Sequence, residues 1–267
     1  MLILALAVSL APGMQASQAP KDSTLAFANH SAPVATLGAV RAVRRSAPVT
    51  VDGRLDEAAW ADAPPVTHLV QRSPKEGADA SEPTEVRVLF DDDAIYVGAR
   101  LRDTSPDSIV AQLARRDRIT SADRFIVYID AYHDRRSGLY FGINAAGTLY
   151  DGTLYNDDWD DDSWDGVWEG RVARDSSGWT AELRIPYSQL RFQRRAAYVW
   201  GINFKREIAR RNEEAYLAPR PLNGNGFVSR FAELTGIEQV TPPARLEVMP
   251  YVTAKAQSLS HDPGDPF

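Results

Sequence analysis

The chain has no cysteine. Disulfides, thiol nucleophiles and thiolate metal centres are therefore excluded. Histidine is scarce: His30, His68, His133 and His261 are the full set, and none stands in a zinc-protease spacing or beside an evident nucleophile. No glycine-rich phosphate loop is present. No apolar run reaches the roughly 20 residues that a membrane-spanning helix needs. Basic charge is in deficit, with 30 Lys and Arg against 36 Asp and Glu, a net charge of -6. A mildly acidic surface argues against nucleic acid as the main partner.

The chain opens with an apolar run, Leu2 to Leu10, followed by small residues, with Ser17 and Ala19 as a small-x-small cleavage site. This is signal-peptide length, although no Lys or Arg precedes Lys21. The pattern predicts export, with residues 1–19 as signal peptide and residues 20–46 as an aperiodic linker. Residues 47–240 are long enough to bury one substantial core. Beyond a Thr-Pro-Pro break at 241–243, residues 245–257 alternate Leu246, Val248, Val252, Ala254 and Ala256 with Glu247, Met249, Thr253 and Lys255. That alternation fits the first strand of a membrane β-barrel and equally an ordinary edge strand. Residues 241–267 are thus read as a linker and the truncated start of a possible outer-membrane barrel.

Period-two alternation broken by turn residues dominates the middle of the chain. Residues 84–90 place Val86, Val88 and Phe90 on one face, and residues 95–103 place Ile95, Val97, Ala99 and Leu101 likewise. Further strands are predicted at 124–130, 139–147, 148–156, 167–174, 178–186, 198–208 and 230–237. Helical signals are few. One short helix is predicted at 56–63 and another at 105–117, with Ser105 as N-cap and Pro106 in its first turn. The expected fold is an all-β sandwich of jelly-roll type with one or two short helices.

Four stretches together resemble family 9 carbohydrate-binding modules: VDGRLDEAAWADA (51–63), VRVLFDDDAIYVGARLRD (86–103), DRFIVYIDAYHD (123–134) and GWTAELRIPYSQL (178–190). The resemblance extends to uncharacterised outer-membrane proteins in which such a domain precedes a large β-barrel. WDGVWEGRV, IPYSQLRF and WGINFKREIARRNEE are similar to motifs of that family, and the ordered set covers roughly 48–256. The resemblance implies a β-sandwich, location in the periplasm or at the outer membrane or surface of a Gram-negative bacterium, and carbohydrate binding. It also implies a downstream barrel as partner and raises the expectation of structural Ca²⁺.

The best ligand candidates lie in YNDDWDDDSWDGVW (155–168). Sugars stack their C–H faces on aromatic rings and direct their hydroxyls to polar groups. Trp159 and Trp164, with Tyr155, sit where a large ring is hard to bury, which suits a sugar platform; the alternative is a ring folded back on the core. Trp60, Trp168, Trp179 and Trp200 are read as core. Arg115 and Arg116 could present planar forks to hydroxyls or end a helix. Asn144 could bind sugar or satisfy buried backbone. Six aspartates crowd into residues 157–165, and such carboxylates are hard ligands suited to Ca²⁺. Asp158, Asp160 and Asp162 match the first ligands of an EF-hand count, but Ser163 replaces its glycine and Trp164 follows, so that loop is excluded. A less regular Ca²⁺ site drawing on Asp158, Asp160, Asp162, Asp130 and Asp151 stands against a solvated acidic loop.

The principal reading is a non-catalytic domain that binds glycan by Trp stacking and polar contacts. One alternative is a barrel-associated interaction domain without a sugar ligand. Another is a glycoside hydrolase, since carboxylates are plentiful. Glu182 lies opposite the face of Ala181, Leu183 and Ile185, and no acid partner for it is evident.

Overall fold

Alternating side chains lay down two sheets. The structure is a computed structural model and describes residues 39–118 and 120–242. Its strands are β1 (Val40–Arg41), β2 (Val43–Arg44), β3 (Val70–Ser73), β4 (Thr84–Phe90), β5 (Ala94–Arg102), β6 (Arg124–Asp130), β7 (Gly138–Asn144), β8 (Leu149–Tyr155), β9 (Trp159–Asp161), β10 (Glu169–Asp175), β11 (Gly178–Pro186), β12 (Ala197–Ile208), β13 (Glu213–Tyr216) and β14 (Ala232–Glu238). The smaller sheet runs β10-β11-β5-β4-β2, and the larger β1-β14-β12-β6-β7-β8-β9, with β13 and then β3 branching from β12. This is the expected all-β sandwich.

The core lies between the sheets. Val86, Val88, Ile95, Val97, Ala99 and Leu101 of the small sheet meet Phe125, Val127, Phe141, Trp200, Ile202 and Phe204 of the large one. Trp60, Trp168, Trp179 and Trp200 are buried as expected. Strand β12 forks the large sheet. Its first half pairs with β14 and its last four residues with β13, while β6 lies along its other edge.

Two sequence motifs prove to be clamps. In FKREIARR, Arg206 turns inward and is 1 % exposed. Its guanidinium donates to the carbonyls of Glu82, Pro83 and Arg102 and to Thr84 Oγ1, so the large sheet's cation closes the end of the small sheet. Burial lowers its pKa to about 10, which leaves it charged at neutral pH. Arg210 grips Asp103 with two bonds of 2.7 Å. The second clamp is Glu182, on the outer face of β11. Its carboxylate accepts the backbone N–H groups of Asp52 and Gly53 and the indole N–H of Trp60. The Asp-Gly and Trp of the 51–63 motif are thus fastened to the Glu of the 178–190 motif. That buried partner set explains Glu182 without catalysis.

Three expectations are corrected. No helix spans 105–117; only a 3-10 turn at Pro106–Ser108 forms. The following backbone finds its partners elsewhere: the Val110 carbonyl accepts from Asp123, the Gln112 carbonyl from Asn144 Nδ2, and the Ala114 N–H donates to Thr148 Oγ1. The helix at 56–63 is a 3-10 turn, Ala58–Asp62. The ordered fold also begins inside the residues read as linker. β1 pairs in parallel with β14 of one sheet and β2 with β4 of the other, so residues 40–44 stitch the sheets together. The signal-like run and the 245–257 segment lie outside the described residues.

Burial, reinforced by the charge of Glu57, raises the Glu182 carboxyl to about 7 against the N–H donors that oppose it. A carboxyl whose folded pKa exceeds its unfolded value contributes its full stability at low pH and loses it as pH rises through the folded value. The melting-temperature gap between the natural chain and Glu182→Gln should therefore shift against the natural chain from pH 5 to pH 8. Thermal melts across that range check this; a gap that is constant, or moves the other way, contradicts it.

Candidate functional site: an aromatic, ion-paired cleft on the large sheet

The outer face of the large sheet is also covered. Ile126, Tyr128, Tyr150, Leu154, Tyr216, Val228 and Phe231 form a second apolar cluster there, with Tyr140 and Phe227 packed on it. Alternation places them: in β6, Phe125 and Val127 enter the core, while Ile126 and Tyr128 face outward. β3 and β13 wall one side, and the segment around Arg220 and Phe227 contributes another. The result is a cleft of about 340 Å³.

Its floor is built from paired tyrosines and glycines. Tyr140 of β7 lies directly opposite Gly152 of β8, and Gly142 directly opposite Tyr150. A Cβ on either glycine would collide with the facing tyrosine ring, so the missing side chains let the rings lie on the sheet. Tyr128 packs edge-on against Phe227 at 5.0 Å and lies 6.1 Å from Tyr140. Burial raises the pKa of Tyr128, Tyr150 and Tyr216 well above the ordinary tyrosine value, so these hydroxyls stay neutral. The Tyr150 hydroxyl is buried and has no hydrogen-bond partner.

Around the rings runs an ion-pair network. Lys205 Nζ contacts Glu207 and lies 2.8 Å from Glu214. Arg124 pairs with Glu207, Arg72 with Glu214 at 3.3 Å, and Arg220 with Asp158 at 3.1 Å. Burial works against the Lys205 ammonium, but Tyr128, Glu207 and Glu214 more than offset it and hold its pKa above the usual lysine value. Burial likewise works against ionised Glu214, and Lys205 and Arg72 overcome it, so its pKa is lowered. With Asp160, four carboxylates balance four cations in the cleft lining. This charge-balanced pocket of rings and polar groups is suited to a neutral, hydroxyl-bearing ligand. Glu214, held ionised by these cations, is poorly suited to act as a general acid, which needs a raised pKa.

The sequence candidates divide sharply. Asp158 and Asp160 line the cleft. Trp159, between them on an edge strand, is exposed and packs against Tyr155 at 5.9 Å outside the cleft lining. Trp164 is half-buried and folds back on the core against Phe141. It is therefore no exposed platform: packing on Phe141 covers more of its ring than the polar loop could. Asn144 is 2 % exposed. Its amide donates to the Gln112 carbonyl and accepts from Ala146 and Thr148, so it serves the β7–β8 turn rather than a ligand. Arg115 is exposed and Arg116 pairs with Asp151; both lie outside the cleft lining.

Nor do the expected metal ligands converge. Both oxygens of Asp130 accept backbone N–H groups of the turn at 133–135. Asp158 accepts the Gly226 N–H and the Arg220 guanidinium, and Asp157 caps the N–H groups of Phe227 and Ser229. These two aspartates of the acidic loop thus pin the 226–230 segment beside the cleft. Asp162 is exposed. Among the described residues, the carboxylates close enough to share an ion are Asp117, Asp151 and Asp165. Arg116 reaches all three, and the Trp168 indole donates to Asp151, so one side-chain cation already sits among these three carboxylates. The tyrosine floor was missed by sequence reading. Its signal was the Tyr-x-Gly repeated in neighbouring strands, at Tyr140–Gly142 and Tyr150–Gly152.

A two-sheet β-sandwich with an aromatic cleft on one outer face defines the class of molecule. The chain belongs to the carbohydrate family 9 binding domain-like family, whose model matches residues 51–213. A family 9 carbohydrate-binding module from Caldicellulosiruptor kristjanssonii, solved with cellotriose, is 15% identical with a TM-score of 0.56, covering 79% of this chain and 99% of that one. A second structure from that organism, solved with glucose, is 18% identical with a TM-score of 0.54, covering 76% and 100%. A Bacteroides uniformis structure is 12% identical with a TM-score of 0.59, covering 75% and 100%. These likenesses establish the fold. No curated protein matches the sequence.

Replacing Gly142 by Ala should drive the Tyr150 ring off the sheet and destabilise the domain by about 1–3 kcal/mol, the usual cost of overpacking. Urea denaturation measures this; an unchanged midpoint would show that the rings do not depend on the glycines.

Proposed function

We propose that the chain binds a neutral glycan, without catalysis, in the cleft floored by Tyr140 and Tyr150. The partly exposed Tyr140 ring, set in a cleft whose four cations and four carboxylates balance, carries the reading. A sugar offers a C–H face to the aromatic floor and hydroxyls to the polar groups around it. The internal pairing of every cation favours uncharged sugars over uronates or sulfated glycans. Membership of the family, and the sugars in the related solved structures, support the same ligand class. Stacking is assigned to tyrosine rather than to Trp159. The hydrolase alternative is disfavoured, because Glu207 and Glu214 are both held by Lys205.

The location is part of the proposal. The Leu2–Leu10 run supports export, and the 245–257 alternation supports a barrel downstream, which would place this domain at the outer membrane. A Ca²⁺ role finds its best support at Asp117, Asp151 and Asp165, where an ion would have to displace Arg116.

Binding of neutral oligosaccharides, read by calorimetry, should weaken at least tenfold in Tyr140→Ala and remain at the natural level in Trp159→Ala. The reverse ranking would move the site to the sheet edge. An anionic oligogalacturonide should bind no better than its neutral counterpart.

A further inference from the structure

The segment that supplies Arg220 and Phe227 to the cleft reads Pro-Leu-Asn-Gly-Asn-Gly over residues 221–226. It contains two successive Asn-Gly pairs, Asn223–Gly224 and Asn225–Gly226, and both asparagines are exposed. Asn-Gly is prone to self-modification, because glycine has no side chain to keep its backbone nitrogen away from the asparagine amide carbon. That nitrogen, after giving its proton to hydroxide, attacks the asparagine Cγ. A C–N bond forms, the side-chain nitrogen takes a proton from water and leaves as ammonia, and a five-membered imide remains. Water then opens the imide at either carbonyl. The products are aspartate, or isoaspartate with the main chain routed through the former side chain.

The fold treats the two pairs differently. The Gly226 N–H donates to both oxygens of Asp158, at 3.0 and 2.9 Å. The Gly226 carbonyl accepts from Arg230 Nε at 2.9 Å, and just beyond it Asp157 holds the N–H groups of Phe227 and Ser229. A carboxylate against the Gly226 N–H opposes loss of its proton and fixes the peptide plane. The other pair is slung between two anchors, the Leu222 N–H on Glu76 at 2.8 Å and Gly226 on Asp158. Its Gly224 N–H donates only weakly, at 3.4 Å to the Pro221 carbonyl.

We propose that Asn223 is a site of spontaneous deamidation and isomerisation, and that Asp158 protects Asn225 from the same reaction. This holds whatever ligand the cleft takes. Conversion adds one negative charge to a segment whose Arg220 belongs to a charge-balanced lining. Isoaspartate also lengthens the main chain by one methylene between the Glu76 and Asp158 anchors.

Incubation of the full 267-residue chain at pH 8.5, followed by peptide mapping with mass spectrometry, tests this. The amide-to-acid mass change is expected at least tenfold faster at Asn223 than at Asn225, and faster at pH 8.5 than at pH 6. In unfolding concentrations of urea, where neither pair is held, the two rates should become similar. Gly224→Ala, which puts a methyl beside the attacking nitrogen, should slow Asn223 at least tenfold. Asp158→Asn should bring the Asn225 rate up toward that of Asn223; if this variant does not fold, the natural chain with and without urea decides. Equal rates in the folded natural chain, or a faster Asn225, overturn the assignment. So does a folded chain in which neither asparagine converts while both convert in urea. An Asn225 rate unchanged in folded Asp158→Asn overturns the protection by Asp158.

Discussion

Strand β12 alternates its side chains between two interiors, and much of the rest of the fold follows from that constraint. Trp200, Ile202 and Phe204 enter the sandwich core, while Lys205 and Glu207 face the cleft. Lys205 is only 8 % exposed, and a buried ammonium is costly unless paired. Glu207 on the same strand and Glu214 on β13 supply the charge, and they in turn require Arg124 and Arg72. The fork at β12 brings β13 and β3 into position for that network. Arg206, between Lys205 and Glu207, points the other way and closes the end of the sandwich. One stretch of four residues, Phe204 to Glu207, thus joins the core, the inter-sheet clamp and the cleft.

The motifs that carry the family likeness are largely architectural. Asp52, Gly53 and Trp60 meet Glu182, and Arg206 and Arg210 meet the ends of β4 and β5. Two acidic-loop aspartates fasten the 226–230 segment. The family-like stretches also reach the cleft, through Arg124 and Tyr128 of β6 and through Lys205, Glu207 and Glu214 of β12 and β13. The Tyr–Gly pairs of β7 and β8 lie outside those stretches.

Strands with long, clean alternation were legible in the sequence. Residues 84–90, 124–130 and 178–186 form strands with the predicted ends. Two-residue strands such as β1 and β2 carry no periodicity, and β13 reads Glu-Glu-Ala-Tyr, where burial on the cleft side hides behind charge. The predicted 105–117 helix failed because turn 144–148 and Asp123 offered its backbone better partners. For the site, tryptophan drew attention to an acid-rich loop in which Asp157, Asp158 and Asp161 bind backbone N–H groups. Tyrosines were passed over because a half-apolar ring on an alternating strand looks the same whether it faces solvent, core or ligand. Only the register that sets Tyr140 over Gly152 and Tyr150 over Gly142 tells these apart.

The central claim is that the outer face of the large sheet is a ligand-binding interior. A crystal structure of the chain with a bound neutral oligosaccharide tests it most directly. Sugar stacked over Tyr140, with hydroxyls bonded to the charged side chains around the cleft, is the result this account predicts. Sugar on the Tyr155–Trp159 pair at the sheet edge, with the cleft left to water, would contradict it.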